Sequence, residues 1–171
     1  MNSKERRIYI EGLLEKISKP IKGINLSKEL GVTRQVIVKD IALLRAEGKN
    51  IIATSDGYIM IRQETNSIRK IIALNHKSND IQSELECIVR FGGVIEDVIV
   101  EHPLYGEIRG MLMIKTPYDI QNFVERFKGF NAEPLSSLTG GIHLHTISVE
   151  REEDLKNIID ELKYKNYLIS D

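Results

Sequence analysis

The sequence predicts an α+β protein with two domains, a small helical domain that ends in a β-hairpin and a larger layer of helices on a sheet. Three observations lead to this prediction. Apolar residues recur at helical spacing in the first part of the chain, an Asp-Gly turn then separates two short apolar runs, and strands alternate with helices from residue 68 onward. The predicted domains are 1–63 and 67–171, joined by the polar stretch RQETNS.

Composition narrows the class of protein. The chain has 171 residues, of which 42% are hydrophobic and 29% charged, and this is the balance of a globular protein. It has no apolar run near the ~20 residues that a membrane helix needs, and its polar start, MNSKERRIYI, lacks the apolar core of a signal peptide. Its one cysteine, Cys87, excludes an internal disulfide. We therefore expect a cytoplasmic protein without a membrane segment.

The net charge of −1 conceals an asymmetry between the two parts of the chain. Residues 1–66 contain 12 Lys and Arg against 8 Asp and Glu, a net charge of +4, whereas residues 67–171 carry a net charge of −5. A positive first domain indicates contact with a polyanion.

The segment INLSKELGVTRQVIVKDIALLRAEG predicts a helix, a tight turn and a second helix. Gly31 is placed to end the first of these helices, and Thr33 is a natural N-cap for the second. Two apolar runs around SDG then predict a hairpin at Asp56-Gly57. This order is typical of a winged helix-turn-helix domain that binds DNA. The alternative is a three-helix core with a hairpin that has no role in binding.

If the second of these helices enters the major groove of double-stranded DNA, its first turn and outer face contact the bases. Thr33 and the amides after it are placed to bind a phosphate. Arg34 favours guanine and Gln35 favours adenine. Val38 is a candidate for contact with a thymine methyl, an alternative shared with Val36, and a backbone phosphate suits Lys39.

Two further pairs of residues complete the expectations for the first domain. On the hairpin, Tyr58 and Arg62 are candidates for contact with the DNA backbone or the minor groove. The stretch SKERRIYIEGLLEKISK predicts an earlier helix, the first of the chain, and Arg6 and Arg7 on it are expected to be solvated.

The second domain is predicted to contain five strands and three helices. The order βαββαβ followed by αβ predicts a split-βαβ, ferredoxin-like layer of helices on a mostly antiparallel sheet. The predicted strands are 68–75, 94–101, 108–115, 143–150 and a short strand at 167–170. The predicted helices are 79–91, 118–128 and 152–165.

The strand GGIHLHTISVE places two of the four histidines of the chain two residues apart. His143 and His145 therefore point to the same face, which continues as Ile147 and Val149 toward a core. Imidazoles on a buried face need partners. The pair is either hydrogen-bonded within the protein or half of a metal site.

The helix NDIQSELECIVRF contains one carboxylate in an unexpected position. Glu84 falls inside the apolar arc of the helix, whereas Glu86 falls on the polar side. A carboxylate among apolar residues must be paired, protonated or bound to a cation, and a salt bridge to a nearby Lys or Arg is the alternative to a metal. His76, at the end of the preceding strand, can reach the same side of the helix.

Three imidazoles and one carboxylate suit Zn²⁺, Ni²⁺ or Fe²⁺ and not Mg²⁺ or Ca²⁺. His76, Glu84, His143 and His145 are therefore the candidate ligands of one divalent transition metal ion. No second carboxylate is placed as a general base beside the histidines, so we predict no catalytic residues and no enzyme activity. The alternative is a metal-dependent hydrolase with an accessory helix-turn-helix domain.

His102 lies in the turn EHPLYGEI, where it either lines a pocket or caps the loop. With Tyr105 it is a candidate residue for ligand binding at the rim of the metal site.

The stretch NLSKELGVTRQVIVKDIALLRAEG resembles the biotin-repressor-like helix-turn-helix module. The stretches LNHKSNDIQSELECIV, VEHPLYG and GGIHLHTI resemble the three-histidine ligand-binding domain. Together they are similar to the niacin-responsive transcription repressor (NiaR) family along nearly the whole chain. The resemblance implies a homodimeric repressor of genes for NAD synthesis or niacin uptake, with nicotinic acid as co-repressor. It also implies a transition metal, zinc or nickel, at the four positions named above.

Overall fold

The structure is a computed structural model that describes residues 1–61 and 66–169. The candidate wing residue Arg62, most of the predicted linker and the end of the predicted last strand lie outside these ranges. The chain divides into two compact units, 1–63 and 64–171. Within the described ranges no helix has the length and apolar character needed to span a bilayer.

The first unit contains three helices followed by a hairpin, which is the order predicted from the sequence. Gly31 ends the second helix in the left-handed conformation, and the hydroxyl of Thr33 caps the third by accepting a hydrogen bond from the nitrogen of Val36. The elements are α1 (Ser3–Lys16), α2 (Gly23–Leu30), α3 (Arg34–Ala46), β1 (Ile51–Thr54) and β2 (Gly57–Met60).

The three helices and β1 share one apolar core, which fixes α3 in place. The hairpin is joined to the chain before α2, because the backbones of Ile21 and Tyr58 exchange two hydrogen bonds of 2.9 and 2.8 Å. Gly57, at a φ of +132°, lies directly against the carbonyl of Ile21, so no side chain fits there. The fully or nearly fully buried core residues are Ile10, Leu14, Leu26, Ile37, Ile41, Leu44 and Ile51.

A buried ion pair connects α1 to α3. Asp40 on α3 is 2% exposed, and its carboxylate lies 2.5 Å from Nε of Arg6 and 3.8 Å from Nη1 of Arg7. The prediction that these two arginines are solvated is therefore wrong, since their side chains are only 12% and 21% exposed. A buried carboxylate needs such partners, and α1 supplies them.

The second unit follows the predicted order of strands and helices, with two differences. The predicted helix 79–91 begins as a 3₁₀ turn, Ser78–Asp80, and its α-helical part ends at Val89. Of the predicted last strand, the described residues form only an isolated bridge between Leu168 and Leu74. The elements are β3 (Ile68–Asn75), α4 (Ile81–Val89), β4 (Val94–His102), β5 (Gly106–Ile114), α5 (Pro117–Gly129), β6 (Ile142–Val149) and α6 (Glu152–Tyr164).

The sheet of this unit has the order β3-β6-β4-β5, and every neighbouring pair is antiparallel. The helix α4 connects β3 to β4, which lie on either side of β6, and α5 connects β5 to β6, which lie on either side of β4. Each connection thus spans one intervening strand, which confirms the split-βαβ arrangement and the α+β class. The order also places β6 beside the end of β3, with His143 opposite Leu74.

The helices cover one face of the sheet, and the core forms between this face and the helices. On β6 this face carries Ile147 and Val149, both buried. His143 and His145 lie on the same face of β6, so their imidazoles enter the core at one end. The other buried core residues come from the three other strands and from α4, α5 and α6: Ile72, Leu74, Leu85, Cys87, Ile88, Val89, Ile95, Leu112, Ile114, Ile120, Leu155, Ile158 and Leu162.

Candidate metal centre

Three elements bring four functional side chains into one buried cluster. His76 follows the last residue of β3, Glu84 lies in the first turn of α4, and His143 and His145 lie on β6. None of the four side chains is more than 4% exposed. The helix positions Glu84 here because Leu85 and Ile88 beside it pack into the apolar core.

The ring nitrogens of all three histidines face the carboxylate of Glu84. Nε2 of His76 lies 3.0 Å from Oε2, Nε2 of His143 lies 3.8 Å from Oε2, and Nε2 of His145 lies 2.9 Å from Oε1. Neighbouring rings are arranged edge to face, with centroids 4.9 Å apart for His76 and His143 and also for His143 and His145. The ligand atoms of His76, Glu84 and His143 all lie within 4.8 Å of one another.

The other nitrogen of each imidazole is held by a main-chain carbonyl. Nδ1 of His76 bonds the carbonyl of Lys77 at 2.8 Å, Nδ1 of His143 bonds that of Gly141 at 2.9 Å, and Nδ1 of His145 bonds that of Asp97 at 2.5 Å. A carbonyl only accepts, so we assign the Nδ1 proton to each ring. In the neutral form every Nε2 then presents a lone pair to the centre of the cluster, as metal-binding histidines do.

Burial of the Glu84 carboxylate among neutral imidazoles is unfavourable unless a proton or a cation lies between them. Glu84 Oε1 is buried and has no hydrogen-bond partner among the described residues, although Nε2 of His145 is only 2.9 Å away. A carboxylate oxygen that faces a nitrogen lone pair in the absence of water requires a proton or a cation between them. Three imidazole nitrogens and one carboxylate are ligands that suit a divalent transition metal ion.

The electrostatics of the cluster favour separated charges. Burial alone would raise the pKa of Glu84, but the positive charge that His145 gains on protonation and the contacts of the carboxylate with the three imidazoles hold it well below its usual value. Burial would likewise lower the pKa of His76 and of His145, and the contacts of both rings with Glu84 raise it instead. Positive charge is thus favoured around the carboxylate, and a bound metal ion would supply it in place of protons.

A close approach of two backbones brings His76 and His143 together. Gly141 has a φ of +102°, and a Cβ atom there would lie 2.6 Å from the carbonyl oxygen of His76 and 2.8 Å from Oδ1 of Asn75. Only glycine allows this contact. The carbonyl of Gly141 also accepts the hydrogen bond from His143. Gly141 therefore contacts both the segment that carries His76 and the segment that carries His143.

The sequence reasoning missed Asp97. This residue is fully buried in an irregular part of β4, where the register with β5 and β6 shifts. Its carboxylate accepts a hydrogen bond from the nitrogen of Thr146 at 2.8 Å and lies 3.1 Å from Nη1 of Arg109. An aspartate inside the apolar run VIEDVIVEH was the available signal.

The candidate ligand residues His102 and Tyr105 contact each other at the turn between β4 and β5. Their ring centroids lie 5.1 Å apart, and Nδ1 of His102 accepts hydrogen bonds from the nitrogens of Leu104 and Tyr105. His102 therefore caps its own turn, while Tyr105 is 73% exposed. Their role in ligand binding stays a prediction.

The candidate DNA-contacting residues share one exposed surface on α3. Thr33, Arg34, Gln35 and Lys39 are exposed. Val38 is 43% exposed, whereas Val36 is half-buried. Val38 is therefore the better placed of the two valines to meet a thymine methyl.

On the hairpin, Tyr58 is half-buried and packs against the core of the first unit. The ring of Tyr58 also lies against Gly23 at the start of α2.

Two models of known protein families match this chain. Residues 69–171 match the 3H domain, and residues 6–59 match an HTH domain.

Two relatives match along nearly their whole length. The chain is 44% identical over 167 residues to the probable transcription repressor NiaR of Thermotoga maritima, covering 98% of this chain and 95% of that protein. It is 36% identical over 161 residues to the transcription repressor NadR of Bacillus subtilis, covering 92% and 89% of the two chains.

Proposed function

The chain belongs to the NiaR family of transcription repressors, and from this premise we propose that it represses its target genes as a metal-containing homodimer with nicotinic acid as co-repressor. The observation that carries the effector half of this proposal is the buried cluster of three Nε2 atoms around Glu84. The exposed surface of α3 supports the part of the proposal that concerns DNA binding. The target genes are those of NAD synthesis or niacin uptake.

The first unit binds double-stranded operator DNA through α3. Arg34 and Gln35 stand at its exposed start, next to the cap at Thr33, and this is where a recognition helix reads base edges. Lys39 adds a phosphate contact one turn later. The net charge of +4 on residues 1–66 favours association with any duplex, and base contacts then select the operator.

The second unit holds one divalent transition metal ion, zinc or nickel. His76, His143 and His145 supply their Nε2 atoms, and Glu84 supplies its carboxylate. The ion gives the site a fixed positive charge that can attract the carboxylate or the ring nitrogen of nicotinic acid. Because binding is reciprocal, an effector that strengthens operator binding is itself bound more tightly by the operator complex.

We infer a homodimer because the part of the chain that contacts DNA is small. One short helix covers only part of an operator, so specific binding requires two copies on a pseudo-palindromic site. We assign the dimer contact to residues 67–171, because the basic residues of the first unit are required at the DNA. Sedimentation of the full chain at micromolar concentration should give a dimer, and a monomer under these conditions would remove this part of the proposal.

A metal-dependent hydrolase with an accessory helix-turn-helix domain is the alternative. Such an enzyme needs a base for its water. Among the described residues the cluster contains one carboxylate, Glu84, and the three histidines surround it. Both relatives are also named as repressors.

A gel shift on the DNA upstream of the protein's own gene tests the proposal. Metal-loaded protein should bind this duplex, and nicotinic acid should tighten binding by a factor in the usual range of allosteric coupling, about 5–150. Nicotinamide, which lacks the carboxylate, is the matched control. A hydrolase would be indifferent to the duplex. Binding that does not respond to nicotinic acid would retain the repressor and remove this effector.

A further inference from the structure

The chain reverses direction at the end of α6, next to the metal cluster. Asn166 has a φ of +58°, and the nitrogens of Asn166 and Tyr167 bond the carbonyls of Lys163 and Leu162, both at 3.0 Å. Asparagine tolerates this left-handed conformation better than most residues. The turn therefore separates Lys165, the residue directly after α6, from Tyr167, which begins the terminal segment. We call residues 165–167 the C-terminal turn.

Lys165 places a positive charge beside the first turn of α4. Its Nζ donates a hydrogen bond of 2.9 Å to the hydroxyl of Ser83, the residue immediately before Glu84. The side chain is half-buried. Within the described ranges no carboxylate lies at ion-pair distance from this ammonium, so its partner is a neutral hydroxyl. A half-buried ammonium without a counter-ion favours an anion from solution.

Tyr167 covers the cluster from the other side of the same turn. Its ring centroid lies 5.2 Å from that of His76, with the two planes tilted by 58°. The terminal segment is tied to the edge of β3, because the nitrogen of Asn75 bonds the carbonyl of Tyr167 and the nitrogen of Ile169 bonds that of Ala73. The side chain of His76 is only 2% exposed.

We propose that the C-terminal turn recognises an aromatic monocarboxylate at the metal cluster, with Lys165 pairing with the carboxylate and Tyr167 contacting the ring. A cation and an aromatic face on either side of one turn complement these two parts of such a ligand. The flexible stem of Lys165 allows its ammonium to exchange the hydroxyl of Ser83 for a carboxylate. This inference rests on the proposed function and names the residues that select the effector.

The same helix end offers matched controls for both residues. Lys163 and Tyr164 lie one turn or less away, and both are exposed, Tyr164 by 82%. Lys165→Gln and Tyr167→Leu are therefore compared with Lys163→Gln and Tyr164→Leu in the full metal-loaded chain. Elemental analysis and circular dichroism establish that each variant retains its metal and its fold. Lys165→Arg tests whether charge alone restores binding.

Calorimetry with nicotinic acid, benzoic acid and nicotinamide provides the readout. Lys165→Gln should weaken binding of the two acids by about tenfold or more, as expected for a lost charge-assisted hydrogen bond, and should reduce the preference for nicotinic acid over nicotinamide. Tyr167→Leu should weaken all ligands that the parent binds, and Lys165→Arg should recover most of the affinity for acids. The two control variants should match the parent.

The outcomes separate this inference from the proposed function. Parental affinity for nicotinic acid in Lys165→Gln would overturn the inference and leave the co-repressor intact. If the parent binds benzoic acid but not nicotinic acid, and Lys165→Gln loses it, the inference stands and the proposed effector fails. A parent that binds neither acid overturns both.

Discussion

Asp97 holds His145 and its neighbour Thr146 at the same time. Its carbonyl lies 2.5 Å from Nδ1 of His145, and its carboxylate accepts the hydrogen bond of the Thr146 nitrogen at 2.8 Å. The irregular register of β4 makes this possible, because a regular strand would use its carbonyl in the ladder. A residue outside the cluster thus fixes the orientation of one imidazole within it.

We expect Asp97→Ala to weaken metal binding by about tenfold, the lower end of the usual effect of changing a group behind a metal-binding histidine. The main-chain carbonyl that bonds His145 remains, but loss of the carboxylate leaves the Thr146 nitrogen, next to His145 on β6, without its buried acceptor. Asp97→Asn should lose less, because its amide oxygen can still accept from Thr146. Glu107→Gln is the control, since Glu107 also contacts Arg109 but is exposed. Competition with a chelator measures the affinity. Equal affinities for Asp97→Ala and Glu107→Gln would show that the carboxylate of Asp97 has no part in the site.

Removal of any one proposed ligand should empty the site. We expect Glu84→Gln and His143→Ala to purify without metal, although the two residues lie far apart in sequence, because either change leaves the ion with an incomplete set of ligands. Glu86→Gln, on the exposed side of the same helix, should retain it. Elemental analysis of the purified variants decides the matter. A full metal content in Glu84→Gln contradicts a site made of four ligands.

Of two residues on α3, Arg34 should support binding to the operator sequence, and Lys39 should support binding to any duplex. Arg34→Ala should cost about 1–3 kcal/mol on operator DNA if its guanidinium contacts a guanine. Lys39→Ala should weaken binding to all duplexes alike and reduce its salt dependence, as loss of a phosphate contact does. Titrations on operator and on scrambled DNA at several salt concentrations separate these effects. Parental operator affinity in both variants would exclude α3 as the reading helix.

The buried Asp40 makes the stability of the first unit depend on Arg6, its closer partner on α1. Arg6→Ala removes its closer partner and should lower the free energy of unfolding by about 1.5–3 kcal/mol, the range for a hydrogen bond to a charged group. Arg7→Ala should have a smaller effect, since its guanidinium lies 3.8 Å away. Urea unfolding followed by circular dichroism gives both values. Equal losses for the two variants would contradict the ranking.

The cluster could be anticipated from local patterns, and its surroundings could not. Strand alternation put His143 and His145 on one face, and helical periodicity put Glu84 but not Glu86 among apolar residues; the burial of these side chains confirms both predictions. Their role as metal ligands stays a prediction.

The groups that orient the cluster depend on contacts between distant parts of the chain. Pairing of β6 between β3 and β4 brings Asp97 to His145 across 48 positions, and no local period encodes such a pairing. The same holds for Lys165, which meets Ser83 across 82 positions. Arg6 and Arg7 were misplaced for this reason too, because their partner Asp40 lies on another helix.

Each imidazole of the cluster is held from behind by a main-chain carbonyl, so the spacing of the three Nε2 atoms depends on the backbone just after β3, just before β6 and within β4. An ion with longer or shorter preferred bonds would require this backbone to move, because turning a side chain would break its hydrogen bond to the carbonyl. Ligand chemistry alone would favour copper among competing divalent ions. A donor set of fixed spacing would add discrimination by ionic radius, and the choice of the proposed ion would then depend on the backbone geometry of these three segments.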